Sequence, residues 1–220
     1  EQYLMEIEAT LEYRRKKIEA KEYLDILYSA LGLTIPMSGG IDIVKWPFNW
    51  QELLILFSIS EVYHSIKDKE KELRVLLLLK QNIEKKYMDS FYYTVWHTGC
   101  LMRLSQFMCI ENQNGKAIEY CEIGIKECKK NRIIGKVHCL LYDNVWNKEQ
   151  QINESIHLKD LPRLEEERAV IEKERVLCKK QLVQAYFLSK AQGDFINAER
   201  IKDFFEMHYP NDVKLLWEYE

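Results

Sequence analysis

Residues 101–124 read LMRLSQFMCIENQNGKAIEYCEIG, and this stretch decides the fold. Leu101, Leu104, Ser105 and Met108 are spaced three and four apart, which places them on one face of a helix. The polar run Glu111-Asn112-Gln113-Asn114-Gly115 breaks that helix, and Ala117, Cys121 and Gly124 then form a stripe of small residues on a second one. The pattern recurs at an offset of 45 residues, where Leu56, Ile59, Ser60, Tyr63, Glu72, Leu76 and Leu79 occupy the matching places. A helix pair cannot bury such a face alone. Self-similar pairs therefore predict an α-solenoid, in which neighbours cover one another.

Composition agrees with that expectation. The 220 residues are 47% hydrophobic and 30% charged, which is ordinary for a folded protein and excludes a disordered one. Eight glycines and four prolines leave few breaks, and strand-like alternation is almost absent. The fold class is accordingly all-α, an α-α superhelix of antiparallel helix pairs. A net charge of −3 argues against a nucleic-acid-binding surface as the main purpose. The apolar runs Leu53–Ile59 and Val75–Leu79 are too short to span a bilayer, so no membrane role is expected. The six cysteines include no C-x-x-C pair and sit largely in apolar helical stretches, as reduced thiols do in a cytoplasmic protein.

Along the chain, residues 2–31 read as helical, interrupted by the charge run Arg14-Arg15-Lys16-Lys17, a linker or solvated face. Thr34 to Asn49 reads as a packed connector, with Asn49 and Glu52 in capping-box spacing at its end. Helices are then expected over 50–66, 69–86, 89–110, 114–130, 133–150, 161–191, 195–208 and 212–219, with a polar loop at 151–160. Asp89 and Asp160 are N-cap candidates, and Gly193-Asp194 is a turn. The expected organisation is an N-terminal helix and connector over 1–49, followed by a helical repeat domain over 50–220. The chain opens on Glu1 inside helical sequence, which fits a segment preceded by another domain.

The pair over 89–130 resembles a tetratricopeptide repeat. That family wants large apolar residues where Leu101, Leu104 and Met108 stand, and small ones where Ser105, Ala117 and Gly124 stand, because the two helices approach closely there. The first pair keeps Ser60 but places Glu72 and Leu79 at small positions. The last keeps Leu182, Ala198 and Pro210 but departs with Tyr186 and Lys202. The 45-residue offset also exceeds the family's usual period of about 34, implying longer helices. Degenerate arrays with long helices resemble the C-terminal sensor regions of Rgg/PlcR-type helix-turn-helix regulators. That resemblance implies a cytosolic ligand-sensing domain that binds a short peptide on its concave face and forms a homodimer. It would reach DNA only through a domain outside this chain. The alternative is a TPR-like protein–protein scaffold or inhibitor module with no DNA-linked role.

On the peptide-binding reading, the groove face is lined by Leu54, Phe57, Glu61 and His64 of helix 50–66. Tyr92, Trp96, Gly99, Met102, Gln106 and Cys109 of helix 89–110 continue it, and Asn144 and Asn147 follow from helix 133–150. Amide side chains suit an extended peptide because they satisfy backbone donors and acceptors together. Phe57 and Met102 would receive its side chains.

Chemistry finds weaker footing. His97-x-x-Cys100 and His138-Cys139 suggest metal ligands, yet neither pair has further ligands at zinc-site spacing, so no metal and no cofactor are expected. The cysteines lie in apolar stripes rather than polar clefts, and no hydrolase, kinase or phosphate-loop motif occurs, so no catalytic residue and no enzyme activity are expected. Leu161, Leu164, Ile171, Cys178 and Leu182 approach heptad spacing but are broken by Arg168 and Arg175. This favours an extended repeat helix over a dimer seam.

Overall fold

The computed structural model of the chain describes residues 1–35, 48–85, 89–158 and 161–216, and the side chains of all of these except 157, 158 and 161–166. The chain is all-α, of the α-α superhelix class. Its described residues form α1 (Gln2–Arg14), α2 (Ala20–Gly32), α3 (Trp50–Ser65), α4 (Lys69–Lys85), α5 (Ser90–Ile110), α6 (Asn114–Asn131), α7 (Val137–Leu158), α8 (Leu161–Ala191), α9 (Phe195–His208) and a terminal 3-10 segment, η1 (Pro210–Leu216). Two compact units divide the chain, Glu1–Met88 and Asp89–Glu220. The boundary expected at residue 49 thus falls inside the first unit, where α2 packs on α3.

The same turn recurs between helices. Lys16, Lys67, Asn112, Arg132 and Gly193 all take positive φ, between 55° and 72°. After each, the next N–H reaches back to close a six-residue ring, as with Asp68 N to Tyr63 O at 3.0 Å and Asp194 N to Ser189 O at 2.9 Å. This is the Schellman closure, which satisfies the orphan carbonyls at a helix end and reverses the chain. Repetition of one turn is the backbone counterpart of the repeated sequence pattern.

In the first unit, Leu53, Leu56, Ile59, Leu76 and Leu79 are fully buried between α3 and α4. Asn49 caps α3 through the full capping box, its side chain accepting from the Gln51 and Glu52 N–H groups. Glu52 in turn accepts from the Asn49 N–H at 2.6 Å and from Thr34 Oγ1 at 2.6 Å. Gln2 donates to the same Thr34 at 3.0 Å, which ties α1 into the network. Glu72, which departs from the small-residue rule, is buried and meets the His64 ring at 3.1 Å. The large side chain is accommodated because its charged end finds a partner.

In the second unit, the seven residues that carry the repeat pattern behave as their spacing predicts. Leu101, Leu104, Ser105, Met108, Ala117, Cys121 and Gly124 are all buried. Ser105 Oγ lies 3.0 Å from Cys121 Sγ, so α5 and α6 meet at their small positions. A Cβ on Gly124 would lie 2.8 Å from Leu140 Cδ1, so α7 packs directly against the glycine backbone. The core continues through Val145, Cys178, Leu182, Ala185, Ala198, Ile201 and Phe205.

Three expectations are revised. Residues 151–158 are helical, not a loop, because Ile152 is buried and Asn114 Nδ2 donates to Glu154 Oε1 at 3.1 Å. α7 starts at Val137 rather than 133, and the described part of the terminal helix expected over 212–219 is 3-10, within η1 (Pro210–Leu216), while 217–219 lie outside the described residues. The expected connector from 36 to 47, the Asp160 cap and the side chains of Leu161 and Leu164 lie outside the described residues. Cys178 and Leu182 are fully buried, with α8 packed on both α7 and α9.

Candidate functional site

α5, α7 and α9 are the first helices of successive pairs in the second unit, and their side chains meet on one face. Of the groove residues expected on α5, Gln106 and Cys109 meet side chains of α7. Tyr92 is 61% exposed on the first turn, and Trp96, Met102, Gln106 and Cys109 are half-buried. Gln106 Nε2 donates to Asp143 Oδ2 on α7 at 3.2 Å. The Cys109 thiol faces the Trp146 indole, also on α7, and burial pushes its pKa up.

From α7 the face continues to α9. The Tyr142 ring meets Phe204 edge-on at 5.6 Å, and Trp146 lies 5.2 Å from the same ring. Phe204 stacks on His208 at 4.1 Å, and the Arg200 guanidinium sits 5.8 Å over Tyr142. Desolvation raises the Asp143 pKa to about 6, although Gln106 and Arg200 both pull it down. Asp143 is thus a carboxylate held at some electrostatic cost on this face. Trp146, 38% exposed, is the part of the aromatic cluster that reaches solvent.

The expected α7 residues sit elsewhere. Asn144 and Asn147 are essentially fully buried. Asn144 Nδ2 donates to Gln181 on α8 at 3.1 Å, and Asn147 Nδ2 to the Asp143 carbonyl at 2.6 Å. The helix is rotated from the assumed register, so Cys139, Tyr142, Asp143 and Trp146 occupy the face beside α5 and α9. The missed signal was in the sequence: those four residues follow helical spacing, with the aromatic residues Tyr142 and Trp146 one turn apart.

Phe57, Glu61 and His64 belong to the first unit. Phe57 is half-buried, Glu61 is exposed, and His64 holds the buried Glu72. His64 therefore already has a structural task.

Elsewhere in the second unit, a concavity of about 580 Å³ lies among α6, α7 and α8, lined by Glu122, Glu154, Glu167 and Glu174 around Lys148. Lys148 pairs with Glu174 at 2.7 Å and Glu122 at 3.3 Å, so the one lysine is already held by two of the four glutamates. Burial raises the thiol pKa of Cys128 and Cys139 to about 11 and that of Cys178 to about 12. Among the described residues, one group could hold a metal ion: His138, Cys139 and Asp194, where α7 meets the turn before α9.

The fold and this face define a TPR-like helical repeat. The same architecture occurs in the crystal structure of aspartyl phosphate phosphatase F from Bacillus subtilis, with a TM-score of 0.53 at 16% sequence identity. The match covers 99% of this chain and 54% of that one, so this chain spans about half the length of the phosphatase structure. No family model and no curated protein matches the sequence. No helix among the described residues is long and apolar enough to cross a membrane.

Proposed function

We propose that this chain is a binding module that receives an extended peptide on the α5/α7/α9 face of its second unit. The observation that carries the reading is the convergence of Gln106, Asp143, Trp146, Arg200 and Phe204 from three successive first helices. The roles divide by chemistry. Trp146 and Tyr142 offer apolar ring surface, and the Gln106 amide can bond a peptide backbone. Asp143 and Arg200 present opposite charges to the ends or side chains of a ligand. Without ligand, Gln106 and Asp143 satisfy one another, so binding exchanges that bond rather than filling an unmet need.

On the same proposal the module senses its ligand for a cytosolic, homodimeric transcriptional regulator whose DNA-binding domain lies outside this chain. The ligand would favour one arrangement of the repeats and so bias the attached domain. A second reading keeps the same face, which then grips a partner protein directly with no DNA-linked step. Both readings are non-catalytic.

The test is a selection of short peptides on the immobilised chain, followed by fluorescence anisotropy with one labelled binder. Trp146→Ala is expected to weaken binding by tenfold or more, and Val170→Ala, on an exposed position of α8, to leave it unchanged. Equal binding by wild type and Trp146→Ala would reject the face. Regulator and scaffold then separate by whether the peptide changes the oligomeric state of the chain.

A further inference from the structure

The short-range spacing of His138-Cys139 gives no zinc motif, but the fold brings a third ligand type to it from 55 residues downstream of Cys139. A nitrogen of His138, Cys139 Sγ and a carboxylate oxygen of Asp194 all lie within 4.8 Å of one another. His138 is 2% exposed, and its Nε2 is 3.0 Å from Asp194 Oδ2. Asn197 Nδ2 donates to that same oxygen at 2.8 Å and lies 3.8 Å from Cys139 Sγ. The Asp194 oxygen and the Cys139 sulfur are therefore both supplied with N–H hydrogens pointing into one small space. His138 Nδ1, on the far side of the ring, is buried with no hydrogen-bond partner among the described residues.

We propose that His138, Cys139, Asp194 and Asn197 form a binding site for a borderline-soft divalent cation such as zinc. One nitrogen, one sulfur and one carboxylate oxygen are the donor set that zinc or cobalt accepts, and the mixture is too soft for calcium or magnesium. In a tetrahedral site the donors stand about 3.3–3.8 Å apart, so closure asks for side-chain movements of roughly 1 Å. The Asn197 amide is the fourth ligand. Its nitrogen points inward because the present neighbours are acceptors, and a flip of the amide turns Oδ1 to the cation instead.

The proton balance is simple. Cys139 releases one proton to solvent and binds as thiolate, and Asp194 is already ionised. The imidazole proton passes from Nε2 to Nδ1, exchanging an unpartnered lone pair for an unpartnered N–H. Thiolate and carboxylate together cancel the charge of the cation. Bound there, the ion clasps α7 to the N-terminus of α9, immediately beside the face formed by Tyr142 and Asp143.

Cobalt titration of the chelator-treated full chain is the test. The expected result is one cobalt per chain, a thiolate-to-cobalt charge-transfer absorption, displacement by zinc and a thermal midpoint raised by several degrees. Cys139→Ser is expected to remove the absorption, whereas Cys109→Ser, at the other half-buried thiol, is expected to keep it. Asp194→Asn retains an N-cap side chain and is expected to weaken cobalt binding tenfold or more. A wild type without the absorption, or an absorption that survives Cys139→Ser, would overturn the site.

Discussion

Gly124→Ala should destabilise this protein, against the ordinary preference of helices for alanine. In a helix interior the exchange is worth about 0.8–1 kcal/mol in favour of alanine. Here the added Cβ would lie 2.8 Å from Leu140 Cδ1 and 3.3 Å from Cδ2, where ordinary contact begins at 3.4 Å. Leu140 is fully buried, so it has no open side to which it can retreat. Overpacking of this kind costs about 1–3 kcal/mol, which leaves a net loss of roughly 1 kcal/mol. For a chain of this size that is about 2–4 °C in the thermal midpoint. The decisive comparison is the same exchange in a Leu140→Ala background. With the leucine removed the clash disappears, and Gly124→Ala should then stabilise by about 1 kcal/mol. Urea unfolding followed by circular dichroism measures both, and the double-mutant cycle should give a coupling of about 2 kcal/mol. A stabilising Gly124→Ala in the wild type, or a coupling near zero, would refute the close approach of α6 and α7.

Other expectations follow from single contacts. Asn49→Ala removes the side-chain half of the α3 capping box, leaving the Asn49 N–H bonded to Glu52, and should lower stability by about 1 kcal/mol in urea titration. Lys67 and Arg132 hold left-handed backbone conformations, so Lys67→Gly and Arg132→Gly should each raise stability by roughly 0.5–1 kcal/mol in the same assay. Tyr209 donates to the buried Glu149, and Tyr209→Phe should cost about 1–3 kcal/mol by leaving that carboxylate short of a donor, with Glu149→Gln in the same chain recovering part of the loss. Asp143, with a folded pKa of about 6 against about 4 unfolded, binds more protons folded than unfolded between those values. Its contribution to stability therefore falls as pH rises from 4 to 6. Asp143→Asn should be the more stable protein at pH 7, and the difference should vanish as pH is lowered through about 4.

The repeat was legible because helix pairing imposes size rules at fixed intervals. Ser105, Ala117 and Gly124 are small because backbones meet there, and Leu101, Leu104 and Met108 are large because they fill the same seam. The capping of α3 was legible for a similar reason, since Asn49 and Glu52 act within one turn. What the sequence hid depends on rotation about a helix axis. Asn144 and Asn147 are the right residue types for a peptide, yet a shift of one residue, about 100° of rotation, carries both inward, where Gln181 and a backbone carbonyl take their N–H groups. Tyr142, Asp143 and Trp146 hold the open face instead, and their spacing becomes informative only once the partner α9 is known. The continuation of α7 through 151–158 was hidden by polarity. Among 151–156, whose side chains are described, Ile152 is buried and the others are exposed or half-buried. Long-range pairs were hidden most completely: nothing local to His138-Cys139 announces Asp194.

Hydrogen exchange of the chain with and without a selected peptide tests the central claim most directly. Slowed exchange is expected in α5, α7 and α9 of the second unit, around Gln106, Trp146 and Phe204, with α1 and α2 unchanged. Protection confined to α1–α4, or to the Glu122–Lys148–Glu174 concavity, would contradict it.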